Sequence, residues 1–232
     1  MKQLTDFFEG KQVNRILDVG TGTGDFVKVL KNVFPEAEIT GVDPLEESLE
    51  EAKRNYPDVH FQKMTGEKLA FENSQFDVVS ISMALHHLPD IQAAFSEMKR
   101  VLKPEGWLIV NELVSDGLNP AQEVHKMFHH FRSTIDRMLG EHHREAFTRA
   151  EIPAIIHDAG LRIELQFIDE RGTPDSPANY SVRIEKMEEH LERVKENAEY
   201  KTLKQQLKEF SKMIEVHGFQ PSSRMVIVGK KQ

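Results

Sequence analysis

A glycine-rich turn between an apolar stretch and an amphipathic stretch constrains the fold of this chain more than any other sequence feature. Residues 16–19 predict a buried strand, and Gly20, Gly22 and Gly24 then remove three side chains within five residues. Residues 25–34 carry apolar side chains at helical spacing. A strand, a turn of glycines and a helix N-terminus together form a cradle in which backbone N–H groups can approach a ligand closely. The turn therefore predicts an α/β unit that binds the polar end of a small molecule.

An acidic residue follows the next predicted strand. Residues 39–42 are apolar and end in Asp43, and in a parallel α/β unit an acid at that position can accept hydrogen bonds from a ribose diol. The dinucleotide-binding pattern G-x-G-x-x-G would need a glycine where Asp25 stands. A carboxylate there would repel a pyrophosphate, whereas Asp18 and Asp25 suit the ammonium group of an amino acid. The pattern favours S-adenosylmethionine, which combines an amino-acid end with a ribose, over a dinucleotide.

Several segments carry a resemblance to one enzyme family. LDVGTGTG at 17–24 resembles motif I of the class I S-adenosylmethionine-dependent methyltransferases, and GVDP at 41–44 resembles the acidic end of their second strand. The segments 76–90, 94–113 and 147–161 are similar to the family's fourth strand, its fifth strand and the helix before its sixth strand. The sequences DVGTGTGD and ALHHL are most similar to those of the ubiquinone and menaquinone C-methyltransferases, which act on small molecules.

The resemblance implies a Rossmann-like class I methyltransferase fold of the α/β class, with a seven-stranded, mostly parallel sheet and an antiparallel last strand. We expect the cofactor-binding domain to comprise residues 1–170 and 220–232, with a helical lid segment at 119–147. The predicted strands are Arg15–Val19, Glu38–Val42, Val59–Gln62, Phe76–Ser82, Gly106–Glu112, Leu161–Asp169 and Arg224–Gly229.

A helical insert at 178–217 departs from the family, which usually joins strands six and seven by a short hairpin. The helical spacing of the apolar residues in this insert is interrupted between Ala198 and Tyr200. This interruption predicts a bend near Asn197. The insert would serve as a lid over the active site or as a homodimer interface. The apolar side chains of the first segment would line an acceptor pocket or simply form core.

The resemblance also implies a set of cofactor-binding residues. They are Asp18, Gly20, Thr21, Gly22, Thr23 and Gly24 around the methionine portion, Asp43 and Pro44 at the ribose and adenine, Thr65, Gly66 and Glu67 after the third strand, and Ser82 and Met83 near the sulfonium. Thr65 stands where the family commonly has an aspartate that accepts the adenine amino group, so this contact would lack a charge.

Candidate catalytic residues follow the fourth and fifth strands. His86 and His87 could act as bases at neutral pH, or one could be packed while the other caps the helix at Asp90. Glu112 is a second candidate base, or alternatively a solvated strand end. A general base is optional, because the methyl donor brings its own electrophile.

Composition excludes several other function classes. The formal net charge of −8 argues against a nucleic-acid partner, and the absence of cysteine excludes disulfides and thiolate metal sites. His125 and His129 share a helix face, the minimum geometry for a metal pair, but no carboxylate or cysteine completes it, and we expect no metal site. We find neither a signal-peptide pattern nor an apolar run long enough to span a bilayer, so we expect a cytoplasmic protein.

The sequence therefore predicts a methyltransferase that transfers the methyl group of S-adenosylmethionine to a small-molecule acceptor and releases S-adenosylhomocysteine. Two other functions remain open. One is a module that binds S-adenosylmethionine as a sensor without turnover, and the other is a dinucleotide-dependent oxidoreductase, which Asp25 disfavours. Carbon, nitrogen and oxygen acceptors all fit this pattern.

Overall fold

The computed structural model describes residues 1–170 and 172–232, which fall into two compact units. The sheet unit comprises Met1–Glu112, Ala150–Asp169 and Met225–Gln232. The helical unit comprises Leu113–Arg149 and Glu170–Arg224. Each unit is built from separate stretches of the chain.

The sheet unit contains a seven-stranded sheet in the order β3-β2-β1-β4-β5-β7-β6. The strands are β1 (Arg15–Val19), β2 (Glu38–Asp43), β3 (His60–Lys63), β4 (Phe76–Ser82), β5 (Leu102–Leu113), β6 (Leu161–Asp169) and β7 (Arg224–Lys231). The pairs β1–β2, β1–β4, β2–β3 and β4–β5 are parallel, and β7 is antiparallel. The predicted fold class is confirmed.

The central strands are buried along most of their length, as expected for parallel strands covered on both faces. In β1 and β4 the apolar residues between the ends are fully enclosed. One core cluster joins side chains of β1, β4, β5 and β7, including Ile16, Val78, Ile109 and Val226, with those of the neighbouring helices.

The strand boundaries differ from the expected ones chiefly at β5. The segment R-V-L-K-P-x-G was expected to form a turn before a strand at Gly106, whereas β5 begins at Leu102. The chain still changes direction within this strand. Its register against β4 shifts between Phe76 and Val78, and Glu105 has a positive φ of 62°.

The α-helices of the sheet unit are α1 (Lys2–Phe8), α2 (Asp25–Val33), α3 (Glu46–Asn55), α4 (Ile91–Val101) and α6 (Glu151–Asp158), and Leu85–His87 form a short 3-10 helix. Asp90 caps α4, because its carboxylate accepts the Ala93 N–H at 2.9 Å. The helix cap predicted at Asp90 is therefore confirmed, and the aspartate itself provides it rather than a histidine.

The helical unit contains α5 (Pro120–Met138), α7 (Tyr180–Glu192) and α8 (Tyr200–His217). Asn119 and Gln122 form a reciprocal capping box at the start of α5. The bend predicted near Asn197 is confirmed, since α7 ends and α8 begins on either side of it. Side chains of the three helices, together with Val194 after α7 and Phe219 after α8, form one core cluster. Its helical members are Val124, Phe131, Ile135, Met187, Leu191, Leu203, Leu207, Phe210 and Ile214.

The two predicted apolar stripes thus pack against each other as core of this unit. The roles expected for 119–147 and 178–217, a lid or a dimer interface, stay predictions. Across residues 1–170 and 172–232, no helix combines the length and apolar character that a bilayer crossing requires.

Candidate functional site

The predicted glycine turn follows β1 and has the conformation that glycine allows. Gly20, Gly22 and Gly24 have φ values of 67°, 52° and 91°, in the left-handed region that disfavours other residues. A Cβ atom on Gly20 would lie 2.4 Å from the Ala84 Cβ atom, whereas one on Gly22 would meet no atom within 4 Å. Gly20 is needed for packing, and Gly22 leaves open space beside the backbone.

Asp43, at the end of β2, closes this turn. Its Oδ2 accepts the Gly22 N–H at 2.9 Å and its Oδ1 accepts the Leu45 N–H at 2.9 Å. The carboxylate is buried, and each oxygen keeps a second lone pair. Pro44 is exposed, and Leu45 exposes 63% of its surface. A carboxylate and an exposed apolar side chain therefore lie side by side at the carboxyl edge of the sheet.

Asp18, in β1, supplies a second buried carboxylate. Its Oδ1 accepts the Ser80 hydroxyl at 2.7 Å, and its Oδ2 is buried without a hydrogen-bond partner. Burial raises the pKa of Asp18 to about 6, although the hydroxyl groups of Ser80 and Thr21 oppose the rise. A buried acceptor of this kind costs free energy unless a donor reaches it, and an ammonium group would supply one.

The other residues of the turn are held by hydrogen bonds of their backbone. The Thr21 N–H donates to the Val42 carbonyl at 3.0 Å, and the Thr23 carbonyl accepts the Asn55 side-chain amide at 3.2 Å. Gly24 is the N-cap residue of α2.

The segment 64–67 joins this site through the Met64 N–H, which donates to the Asp43 carbonyl at 3.2 Å. Thr65 is exposed and Gly66 is buried. The Glu67 Oε1 atom is buried without a hydrogen-bond partner.

Ser82 and Met83 lie at the carboxyl end of β4, next to a polar residue of β5. The Asn111 side-chain amide donates to the Ser82 hydroxyl at 2.8 Å, and the Met83 N–H donates to the Asn111 carbonyl at 2.9 Å. Met83 has a positive φ of 56°, which strains a residue other than glycine. The Asn111 Oδ1 atom is buried without a partner.

Ser80 and Asn111 were not among the predicted site residues. Both are fully buried, and each directly follows a run of apolar residues in its strand, in VVS and LIVN. A polar residue inside a buried strand needs a hydrogen-bond partner, and that signal could have identified them.

His86 and Glu112 form a buried pair. The His86 Nδ1 atom lies 2.9 Å from Glu112 Oε1, and the Leu85 N–H donates to Glu112 Oε2 at 3.0 Å. Glu112 is 0% exposed and His86 3% exposed. The alternative that Glu112 is a solvated strand end is therefore wrong. His87 is exposed, so the two histidines lie in different environments.

The histidine pair considered on α5 is not formed. The His125 Nδ1 atom contacts the Ser222 hydroxyl at 2.9 Å, while His129 contacts His143 within the same unit. Burial lowers the pKa of His125 to about 4, which keeps its ring neutral at physiological pH.

The site thus combines a glycine turn with two buried carboxylates, one of which has an unpartnered oxygen. The two carboxylates can accept hydrogen bonds from the ammonium group and from the ribose hydroxyls of S-adenosylmethionine, so the site fits both ends of that molecule. Residues 17–110, which contain the turn and both carboxylates, match the family described as "Methyltransferase domain". Within these residues the chain therefore resembles a methyltransferase domain.

Curated proteins that are similar to this chain are named as methyltransferases. A demethylmenaquinone methyltransferase of Chlorobaculum parvum is 31% identical over 147 residues, which cover 62% of this chain and 59% of that protein. One of Thermotoga maritima is 34% identical over 100 residues, which cover 43% of this chain and 44% of that protein. The chain therefore spans about half the length of these curated relatives.

Solved structures share the fold of this chain. YcgJ from Bacillus subtilis has a TM-score of 0.63 at 19% identity, covering 100% of this chain and 97% of that chain. An S-adenosylmethionine-dependent methyltransferase from Methanosarcina mazei has a TM-score of 0.60 at 17% identity, covering 97% and 96%. The [4+2]-cyclase SpnF has a TM-score of 0.60 at 18% identity, covering 99% and 80%. Because a cyclase is among them, the fold alone does not specify methyl transfer.

Proposed function

We propose that this protein transfers the methyl group of S-adenosylmethionine to a small-molecule acceptor and releases S-adenosylhomocysteine. The observation that carries the proposal is the pair of buried carboxylates around the glycine turn. Asp18 offers an oxygen without a partner, and Asp43 offers lone pairs beside the open space at Gly22. A pyrophosphate would be repelled by both carboxylates, whereas an amino-acid ammonium and a ribose diol both donate hydrogen bonds.

Each residue of the turn has a proposed role in holding the cofactor. Asp18 accepts from the ammonium group, and Asp43 accepts from the ribose hydroxyls. Gly22 admits the ligand close to the backbone, and the exposed Leu45 packs against the adenine ring. Thr65 makes the adenine contact through a hydroxyl. When bound, S-adenosylmethionine supplies the electrophilic methyl group.

His86 and Glu112 are the proposed proton-handling pair. Both Glu112 oxygens accept hydrogen bonds, one from His86 and one from the Leu85 N–H. Glu112 therefore acts as a positioning residue that holds the His86 proton on Nδ1, and the basic lone pair is then on Nε2. In this proposal His86 takes the proton from an acceptor that must lose one, and the exposed His87 does not.

The first test measures which ligand binds. We expect isothermal titration to show saturable binding of S-adenosylmethionine and S-adenosylhomocysteine and no binding of NAD. Saturable binding of NAD alone would overturn the proposal in favour of an oxidoreductase.

The second test measures transfer. The protein is incubated with methyl-labelled S-adenosylmethionine and fractions of a metabolite extract, and a soluble demethylated naphthoquinol is added because the curated relatives are named for demethylmenaquinone. We expect the label to appear in a small molecule. Binding of both sulfur compounds with no transfer to any fraction would favour the sensor instead.

A further inference from the structure

Two buried histidines of the helical unit direct ring nitrogens at each other. His129 lies on α5, and His143 lies in the segment that follows it. Their Nε2 atoms are 3.3 Å apart, and their rings are nearly perpendicular, with an angle of 81° between the planes. Both side chains are buried, with 8% and 3% of their surface exposed.

This spacing matches two ligands on one metal ion. Histidine nitrogens bind zinc at roughly 2.0–2.1 Å, and two of them at a tetrahedral angle lie about 3.3 Å apart. Neutral imidazole is also the commonest protein ligand for such ions. The two nitrogens therefore already have the separation that a shared ion requires.

A carboxylate holds one of these rings in the metal-binding form. The His143 Nδ1 atom lies 2.7 Å from Asp136 Oδ2, so the ring donates its Nδ1 proton and carries a lone pair on Nε2. Histidines that bind zinc usually donate their other ring N–H to a carboxylate, as His143 does to Asp136.

The charges around Asp136 bear on how tightly an ion would be held. His190 Nε2 lies 2.8 Å from Asp136 Oδ1, and the guanidinium groups of Arg132 and Arg193 lie 3.7 Å and 3.8 Å from its oxygens. They compensate much of the carboxylate charge, so the site would bind less tightly than one with a carboxylate ligand.

We propose that His129 and His143 bind one divalent transition-metal ion of the zinc type through their Nε2 atoms, with Asp136 orienting His143. The remaining coordination positions are taken by water or other donors. The sequence alone offers only the pair of His125 and His129 on one face of α5 and predicts no metal site, whereas the proposed site pairs His129 with His143. The proposal does not depend on methyl transfer.

Metal titration of the untagged full chain tests the proposal. After chelator treatment, the protein is titrated with Co²⁺ and then with Zn²⁺. We expect one equivalent of Co²⁺ to give visible absorption bands that Zn²⁺ abolishes, and Zn²⁺ to raise the melting temperature. His129→Gln and His143→Gln should each weaken binding at least tenfold, and Asp136→Asn should weaken it about 10- to 100-fold. The exposed neighbour provides the matched control, His142→Gln, which should bind as the wild type does.

A second measurement remains informative if a variant folds poorly. In nitrogen-15 spectra of the wild-type protein, Zn²⁺ should shift the Nε2 signals of His129 and His143 and leave that of His142 unchanged. The proposal is overturned if the wild-type protein takes up no ion, or if Zn²⁺ leaves both Nε2 signals unshifted. The contact would then be a hydrogen bond between two neutral rings and nothing more.

Discussion

The carboxylate of Asp43 and the backbone N–H of Gly22 lie 2.9 Å apart, so the acid expected at the ribose also closes the glycine turn. The same carboxylate accepts the Leu45 N–H. One side chain thus joins the end of β2 to the turn after β1 and to the start of α3. Its replacement will alter both the shape of the turn and the contacts available to a ligand.

Replacing Asp43 should weaken cofactor binding. Hydrogen bonds to a charged group contribute roughly 1.5–3 kcal/mol each, so we expect Asp43→Asn to weaken S-adenosylmethionine binding about tenfold and Asp43→Ala further. Isothermal titration measures the change. The exposed Asp58 supplies the control variant, Asp58→Asn, which should bind normally. Unchanged affinity in Asp43→Ala would show that the ribose assignment is wrong.

Three glycine substitutions should separate packing from ligand access. Gly10 has φ 74° and no atom within 4 Å of an added Cβ, so Gly10→Ala should cost only the backbone strain, about 1–2 kcal/mol. Gly20→Ala should cost about 2–4 kcal/mol, because the new methyl group overlaps Ala84. Gly22→Ala should match Gly10→Ala in stability but lose cofactor affinity. Urea unfolding and ligand titration give the two quantities.

The double variant Gly20→Ala/Ala84→Gly tests the cause of the Gly20 effect. Removing the Ala84 methyl group should restore part of the lost free energy of unfolding. If the double variant is no more stable than Gly20→Ala alone, steric overlap with Ala84 is not the reason.

The raised pKa of Asp18 predicts a pH-dependent stability. Because its folded pKa is about 6 and its unfolded pKa is near the usual 3.8, the folded chain retains the proton at higher pH. The stabilisation is fully present below about pH 4 and is lost as the pH rises through 6. Asp18→Asn mimics the protonated form, so its stability relative to the wild type should rise between about pH 4 and pH 7, by up to roughly 3 kcal/mol.

Urea unfolding at several pH values measures this difference. Ser80→Ala is the matched variant, because it removes one of the two hydroxyl groups that lower the Asp18 pKa. It should move the transition to higher pH. A stability difference between Asp18→Asn and the wild type that stays constant with pH would contradict the assignment.

Truncating Glu112 should destabilise the fold strongly. Glu112→Ala removes an acceptor from two buried donors, and breaking a buried pair of this kind costs about 3–5 kcal/mol. Glu112→Gln keeps one acceptor oxygen and should cost less. The exposed Glu51 gives the control, Glu51→Ala, which should stay within about 0.5 kcal/mol of the wild type. A similarly small effect of Glu112→Ala would mean that the pair contributes little.

Local patterns in the sequence predicted the parts of the structure that depend on neighbouring residues. The glycines of the turn and the cap at Asp90 are each specified within a few positions, and the structure contains both. The start of β5 was missed because Glu105 takes a positive φ and the strand continues through an apparent turn.

Pairings between distant residues could not be predicted in this way. Asp18 and Ser80 meet because β1 and β4 are neighbours in the sheet, and His86 meets Glu112 because β5 follows on the other side of β4. Neither pair has a spacing in the sequence that marks it. Only the strand order brings each carboxylate to its partner and so decides which site oxygens remain available.

The position of β7 between β5 and β6 has a consequence for how the chain is made. Synthesis delivers β6 before β7, yet β6 is an edge strand whose place in the sheet depends on β7. Until the last strand emerges from the ribosome, β6 has no sheet neighbour and β5 keeps an open edge, which is a template for pairing with other chains. A stop codon before Met225 would therefore leave β5 with an open edge and β6 without a strand partner, and we expect such a fragment to aggregate or be degraded.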